Sequence, residues 1–308
     1  MLALLVAGPA LAQAAEAPSV LPPGRVTVLM WHPNDGVDPL GWPFGPDGAD
    51  AFTRRYLGGR LHDYPMLMVD GVVPVEGLPG DGSLAATQQA YGQAVGSRLG
   101  EAAPATLRIR SGTAARPGGA DTVLVDAHVL PNGALPSGLE IWAALTEDPV
   151  HMRPLLTNGV FDHRFTVRAA VQGPAVGPNG WNGTLRLPLD PAWDLQRLHV
   201  AVWLQQDGGT GLGNAWRPRE VAQATHAPLG EAREQQEKGV LVEALSATWC
   251  DPCLIGDHAL EDLAVAAGAA EPRPRAAATA YLREAPGLRA LAGALLGAAA
   301  VLWVVRRR

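Results

Sequence analysis

Gly239-Val240-Leu241-Val242-Glu243-Ala244-Leu245, followed by Ala247-Thr248-Trp249-Cys250-Asp251-Pro252-Cys253, is the stretch that decides how this chain reads. Its first part is an apolar run of strand length. Its second part carries the only two cysteines of the chain. Leu254 to Ala267 then follows a helical pattern. A strand, a cysteine-bearing turn and a helix together suit thiol–disulfide chemistry. A thiol at a helix N-terminus faces the positive end of the helix dipole, which favours the thiolate and lowers its pKa. A second thiol one turn further on can attack a mixed disulfide and release the product. Pro252 suits the first helical turn, where a missing N–H costs nothing.

Other chemistry fits the same pair. Cys250 and Cys253 could form a static, structural disulfide. A zinc site needs four ligands, and no second cysteine pair exists to supply them. His258 follows Cys253 by five residues, off the same helix face. Soft thiolates also suit Cu(I), so a copper carrier built from Cys250, Cys253 and either His32 or His258 is a further alternative. The redox reading calls for no cofactor and no metal.

The chain has 308 residues, enough for two compact units with sizeable cores. Apolar residues make up 47% and charged residues 18%, which places it among globular rather than disordered chains. The net charge is −6, and no basic patch is present, which argues against nucleic acid as a partner. Lys238 is the only lysine among 24 basic residues, a bias of composition rather than a functional signal.

Both ends are apolar. Leu2 to Ala12, followed by Ala12-Gln13-Ala14, reads as a signal peptide over residues 1–14, too short to span a bilayer. At the other end Ala290 to Val305 carries no charge, and Arg306-Arg307-Arg308 closes the chain. That run is about 24 Å long as a helix, against a hydrocarbon core of about 30 Å. Including Leu288, with Arg289 snorkelling, brings a transmembrane anchor at 288–305 closer to full span. The terminal arginines would then lie inside and the body outside. The expectation is a single-pass membrane protein with an extracytoplasmic body.

Between the ends, Arg25 to Trp31 reads as a strand. Ala49 to Leu57 reads as a helix. Asp63 to Gly77 reads as a β-hairpin around Asp70-Gly71, and Ser83 to Leu99 as a helix. From Ala105 to about Ala227 the period becomes that of strands, with candidates at 106–110, 122–130, 140–147, 163–171, 183–189 and 198–205. Pro, Gly and Asn lie between them, which indicates an all-β sandwich. Gly230 to Lys238 is charged and reads as a helix-prone connector, and 271–287 as a linker. Asn182-Gly183-Thr184 is a glycosylation sequon. Glu261-Asp262 reads as a solvated helix face, and His32 with Asp35, at the end of the first strand, as a loop cap that could also approach the cysteines once the fold is assembled.

Several of these segments resemble exported thioredoxin-like proteins that carry an attached β-sandwich. The resemblance rests on Trp249-Cys250-Asp251-Pro252-Cys253, on Val26 to Asp35, on Tyr64-Pro65 before the hairpin, and on Ile141 to Asp148, Val200 to Gln206 and Val221 to Thr225. It covers most of residues 25–267, but in permuted order, because the cysteine segment follows the sandwich. It implies an α/β thioredoxin-like domain built from both chain ends, 18–100 as its back half and 230–270 as its Cys-x-x-Cys half. Residues 101–229 would be the β-sandwich. The competing arrangement is a degenerate first half with a truncated second copy at 239–267. Circular permutation predicts that strand 240–245 lies parallel to strand 26–31.

The resemblance implies that Cys250 attacks, that Cys253 resolves, that Trp249 is the aromatic beside the pair, and that Pro65 is a cis-proline facing the disulfide. It also implies protein thiols or disulfides as partners. The family buries an acid six residues before the first cysteine, where this chain has Ala244. Glu243 is expected on the opposite face of its strand. The function expected is a membrane-tethered, extracytoplasmic thiol–disulfide oxidoreductase, with a binding scaffold or the copper carrier as the alternatives.

Overall fold

The apolar run before the cysteines forms a strand with no exposed residue, because it lies inside a wide sheet with both faces covered. A computed structural model describes residues 21–33, 38, 40, 64–116, 119–151, 162–206 and 219–272. Along the chain these form β1 (Val26–Trp31), β2 (Met66–Val69), β3 (Val73–Glu76), α1 (Leu84–Leu99), β4 (Ala105–Arg116), β5 (Gly119–Pro131), β6 (Leu139–Glu147), β7 (Val150–His151) and β8 (Asp162–His163). The order continues with β9 (Thr166–Ala175), β10 (Trp181–Pro188), β11 (Leu198–Gln206), β12 (Val221–Pro228), β13 (Ala232–Gln235), β14 (Val240–Leu245) and α2 (Cys253–Ala266).

Eight strands form one sheet in the order β12-β11-β6-β9-β1-β14-β2-β3. Four more, β10-β5-β4-β13, form a second sheet. β14 lies parallel to β1 with Val26 opposite Val240 and Trp31 opposite Leu245, as the sequence predicted for these two distant segments. β2 then pairs antiparallel to β14, and Met30 of β1 bridges to Thr166 of β9. Through that bridge, the strands around the cysteines and the strands of the middle of the chain share one sheet.

One expectation is corrected by this arrangement. The α/β thioredoxin-like domain predicted from both chain ends is not the architecture found. The described chain is mostly β, with two α-helices, and β1, β14, β2 and β3 continue into a larger sheet instead of forming an α/β unit of their own. The physical reason is burial. The face of β1 and β14 that carries Val26, Val28, Met30, Val240, Val242 and Ala244 packs on α1 and α2. The opposite face, with Leu29, Trp31, Leu241 and Leu245, joins the core built by β4, β5, β6, β9, β10, β11 and β12. Strands thus cover one face and the two helices the other.

The transmembrane helix expected at 288–305 falls on residues outside those described. Among the described residues no helix is long and apolar enough to cross a membrane. The described helices, of 16 and 14 residues, use their apolar sides to cover the sheet. The signal-peptide stretch 1–14 and the helix read at 49–57 also lie outside the described residues.

Local chemistry explains the elements that flank the cysteines. Ser83 caps α1, its hydroxyl accepting from the Ala86 N–H at 3.2 Å. Tyr91, Ala94 and Val95 of α1 are buried toward α2 and the sheet. Asp70 and Gly71 turn the β2–β3 hairpin, both at positive φ. A side chain at Gly71 would meet the Arg219 carbonyl oxygen at 2.0 Å, so only glycine fits there. Gly230 to Lys238, read as helix-prone, instead supplies β13, whose alternating residues pair with β4 and complete the edge of the second sheet.

Candidate functional site

Cys250 and Cys253 are joined by a disulfide in the turn between β14 and α2. The turn is held by its own backbone. The Cys250 N–H donates to the Ala247 carbonyl, and the Cys253 N–H to the Cys250 carbonyl, each at 3.1 Å. The Cys253 N–H also lies 3.2 Å from Cys250 Sγ, so a backbone donor already faces that sulfur. Helix α2 starts at Cys253 with Pro252 as its cap residue, one step earlier than the first-turn place expected for it. Cys253 is fully buried, Cys250 is 5% exposed, and the neighbouring Trp249 is 45% exposed.

Pro65 and Tyr64 bring a second segment to this turn. The Tyr64–Pro65 bond is cis, as the resemblance implied. Tyr64 packs against Ala247, Cys250 and Cys253, and its ring meets that of Trp249 edge-on at 5.5 Å. Pro65 sits against Gly256 of α2, where a side-chain carbon would lie 2.8 Å from the proline ring. The four residues singled out in the sequence, Cys250, Cys253, Trp249 and Pro65, are therefore gathered in one place.

A buried polar cluster lies behind the disulfide, and most of it was not read from the sequence. Ser246 donates from its hydroxyl to Asp257 Oδ1 at 2.7 Å, and its N–H donates to the Trp31 carbonyl at 3.0 Å. His32, the residue after β1, pairs through Nδ1 with Asp38 Oδ2 at 3.1 Å, both side chains shut off from solvent. Asp38 also accepts from the Leu40 N–H at 2.9 Å and from the Thr248 N–H at 2.8 Å, two residues before Cys250. The His32 ring meets the His163 ring edge-on at 5.3 Å. Asp35, the expected partner of His32, lies outside the described residues.

Burial pushes both carboxyls up, but the two end on opposite sides of the ordinary value. For Asp38 burial pushes the pKa up, but the His32 hydrogen bond and charge, with the two backbone N–H donors, outweigh it and leave it below the ordinary value. Asp38 is thus ionised, and His32 Nδ1 must carry the hydrogen between them. For Asp257 burial dominates and raises the pKa to about 6, against the pull of Ser246 and His32 and with a further push from Asp38.

The remaining candidates separate. Ala244 faces the helices and Glu243 the other side, as expected; Trp31 Nε1 donates to Glu243 Oε1 at 3.2 Å. Glu261 and Asp262 are not a free solvated face: Glu261 pairs with Arg164 at 3.3 Å, and Asp262 accepts from Gln88 Nε2. Asn182-Gly183-Thr184 lies on β10, with the Thr184 hydroxyl donating to Asp126 at 2.6 Å. Among the described residues, no group of three or more His, Cys, Asp or Glu is arranged to hold a metal ion, so neither His32 nor His258 joins the cysteines in one.

No family model matches the chain, and no curated protein matches it. Among solved structures it is similar to the crystal structure of a C2-type domain of RIM from Drosophila, at 14% identity and a TM-score of 0.26. That match covers 44% of this chain and 98% of the other. At so low a TM-score the likeness transfers neither fold nor function.

Proposed function

We propose that the protein is a thiol–disulfide oxidoreductase acting on protein thiols, with Cys250 as the exchanging sulfur and Cys253 as the resolving one. The observation that carries this reading is the asymmetry of the pair. Cys250 keeps 5% exposure beside exposed Trp249, while Cys253 is fully buried at the start of α2. Exchange needs one sulfur an incoming thiolate can reach and one that a partner cannot attack. Trp249 and Tyr64 supply an apolar surface beside the reachable sulfur, suited to a peptide bearing the partner thiol.

The helix start favours the reactive state. The Cys253 N–H directed at Cys250 Sγ, with the positive end of the α2 dipole, stabilises a thiolate on Cys250 once the bond is reduced. Its pKa is then below the roughly 8.5 of a free cysteine. In the reduced full-length protein, Cys253→Ser traps mixed disulfides with partners through Cys250, and Cys250→Ser traps few. The reduction potential of the pair lies above about −300 mV, the region of static structural bonds. A potential below that value, with equal alkylation rates at both thiols and no trapped partners, would favour a scaffold with a static disulfide.

A further inference from the structure

Buried polar atoms that lack a partner are costly, and a site that keeps several has a use for them. Three occur behind the disulfide: Asp257 Oδ2, His32 Nε2 and Thr248 Oγ1 have no hydrogen-bond partner among the described residues. All three belong to the Ser246–Asp257 and His32–Asp38–Thr248 contacts described above. The first of them is also placed by the helix. Asp257 follows Cys253 by four residues on α2, so the two side chains lie on the same face, with Cβ atoms about 5–6 Å apart. Ser246 holds one carboxylate oxygen and leaves the other without a bond.

We propose that Asp257 is the proton-transfer residue for Cys253, with Ser246 and the His32–Asp38 pair as the residues that position and tune it. The proposal rests on the oxidoreductase reading. When a mixed disulfide at Cys250 is resolved, the Cys253 S–H proton passes to the free oxygen of the Asp257 carboxylate. The sulfur electron pair forms the bond to Cys250 Sγ. The bond from Cys250 to the partner sulfur breaks, and its electron pair leaves on that sulfur as a thiolate. In the opposite direction, protonated Asp257 supplies the proton to Cys253 as it leaves from the disulfide. The partner dithiol then becomes the oxidised species and the protein pair the reduced one, so electrons balance in both directions.

The groups that face Asp257 come from each neighbouring element. Ser246 follows β14, His32 and Asp38 follow β1, and Tyr91 comes from α1; His163 of β8 meets His32 edge-on. Burial and the negative charge of Asp257 hold the Tyr91 hydroxyl protonated, far above its ordinary range, so it stays neutral in the pH range of exchange. Asp257 itself, with a pKa of about 6, changes state near neutrality, where a proton-transfer group is effective.

The test follows reduced full-length protein mixed with a nitrobenzoate disulfide reagent, which releases one coloured thiolate when Cys250 is modified and a second when Cys253 resolves the adduct. In the unaltered protein the second release accelerates with rising pH through an inflection near 6. In Asp257→Asn it loses that inflection and is about tenfold slower or more at pH 7, while the first release is unchanged. Ser246→Ala removes a bond to the carboxylate and moves the inflection to higher pH, a shift that a merely structural role would not produce. An Asp257→Asn profile that superimposes on the parent, or an inflection unmoved in Ser246→Ala, overturns the proposal and leaves the oxidoreductase reading standing. Absence of any second release from the unaltered protein overturns that reading itself.

Discussion

At the scale of the residue, the site divides into what is local in sequence and what is not. Cys250, Cys253 and Trp249 were legible because spacing alone places them on one turn, and Pro65 because a resemblance marked it. Asp257, Ser246 and Asp38 were not. Ser246 and Asp257 are eleven residues apart, and Asp38 meets Thr248 across 210. Glu261-Asp262, one helical turn beyond Asp257 on α2, looked equally plausible as polar surface. Gly256 is a second silent position. A methyl there would press on Pro65 at 2.8 Å and approach the Tyr91 hydroxyl at 3.2 Å. Gly256→Ala is expected to cost about 1–3 kcal/mol as overpacking and to slow exchange by displacing Pro65 and Tyr64 from the disulfide. Urea unfolding and reagent kinetics on the same variant check both parts; unchanged kinetics with lowered stability would detach Pro65 from the site.

Element by element, the strands and α1 were readable from their periods, whereas β13 was not. Its charged residues suggest a helix, and only the open edge of β4 makes a strand of them. A buried polar tie also joins elements. Lys238, just before β14, pairs with Asp70 at 2.9 Å and donates to the Val221 carbonyl at 2.6 Å. Arg98 of α1 reaches Asp70 at 3.2 Å and Glu220 at 2.6 Å, and Asp70 accepts from the Leu241 N–H at 2.8 Å. For Asp70 burial outweighs these cations and leaves its pKa raised. One carboxylate thus fastens the hairpin turn to α1 and β14, while Lys238 continues the link to β12. Breaking a buried pair by removing one partner typically costs about 3–5 kcal/mol, and Arg98 stays beside Asp70 to offset part of that. Lys238→Ala is expected to destabilise by up to that amount in denaturant unfolding. Lys238→Met, which keeps the apolar stem, restores no more than a fraction of it, because Asp70 loses the same cation; full restoration would mean that packing, not charge, holds the turn.

For the whole molecule, two buried groups oppose each other as pH changes. Asp257 has its folded pKa raised from 3.8 to about 6, so its contribution is fully present below 3.8 and is lost as pH rises through 6. His226 is lowered from 6.5 to about 4 by burial, with His199 and Arg233 adding to it. The folded state resists its protonation, so stability is lost as pH falls from 6.5 toward 4. The slopes have opposite sign over pH 4–6 and partly cancel. Asp257→Asn is therefore expected to unmask a loss of stability on acidification, and His226→Asn a gain. Thermal unfolding at a series of pH values checks the pair, and parallel profiles for both variants would show that neither group dominates the window.

Cooperativity follows from the sheet. Which sheet each strand would join could not be read from its period, since β1 and β14 are separated by more of the chain than any local signal spans. The pairing was expected from the permuted order of the resemblance, in which each chain end supplies what the other lacks. Once paired, β14 has β1 on one side and β2 on the other, and its two faces feed both cores. Removing residues 239–267 deletes that strand and α2 together. Among the described strands, β2 and β3 then lose their link to the rest of the sheet, and β1 keeps a single bridge to β9. The apolar faces of β1, β2 and α1 are left in water, at about 25 cal/mol for each Å² newly exposed, far more than the few kcal/mol by which a domain is stable. A chain lacking 239–267 is thus expected to lose β1, β2, β3 and α1 to exchange with solvent, read as rapid hydrogen–deuterium exchange across 26–99. A fragment of residues 16–100 is expected to show no cooperative unfolding transition. A sharp transition from that fragment would mean that the N-terminal segment carries a core of its own and that β14 adds to a sheet already formed.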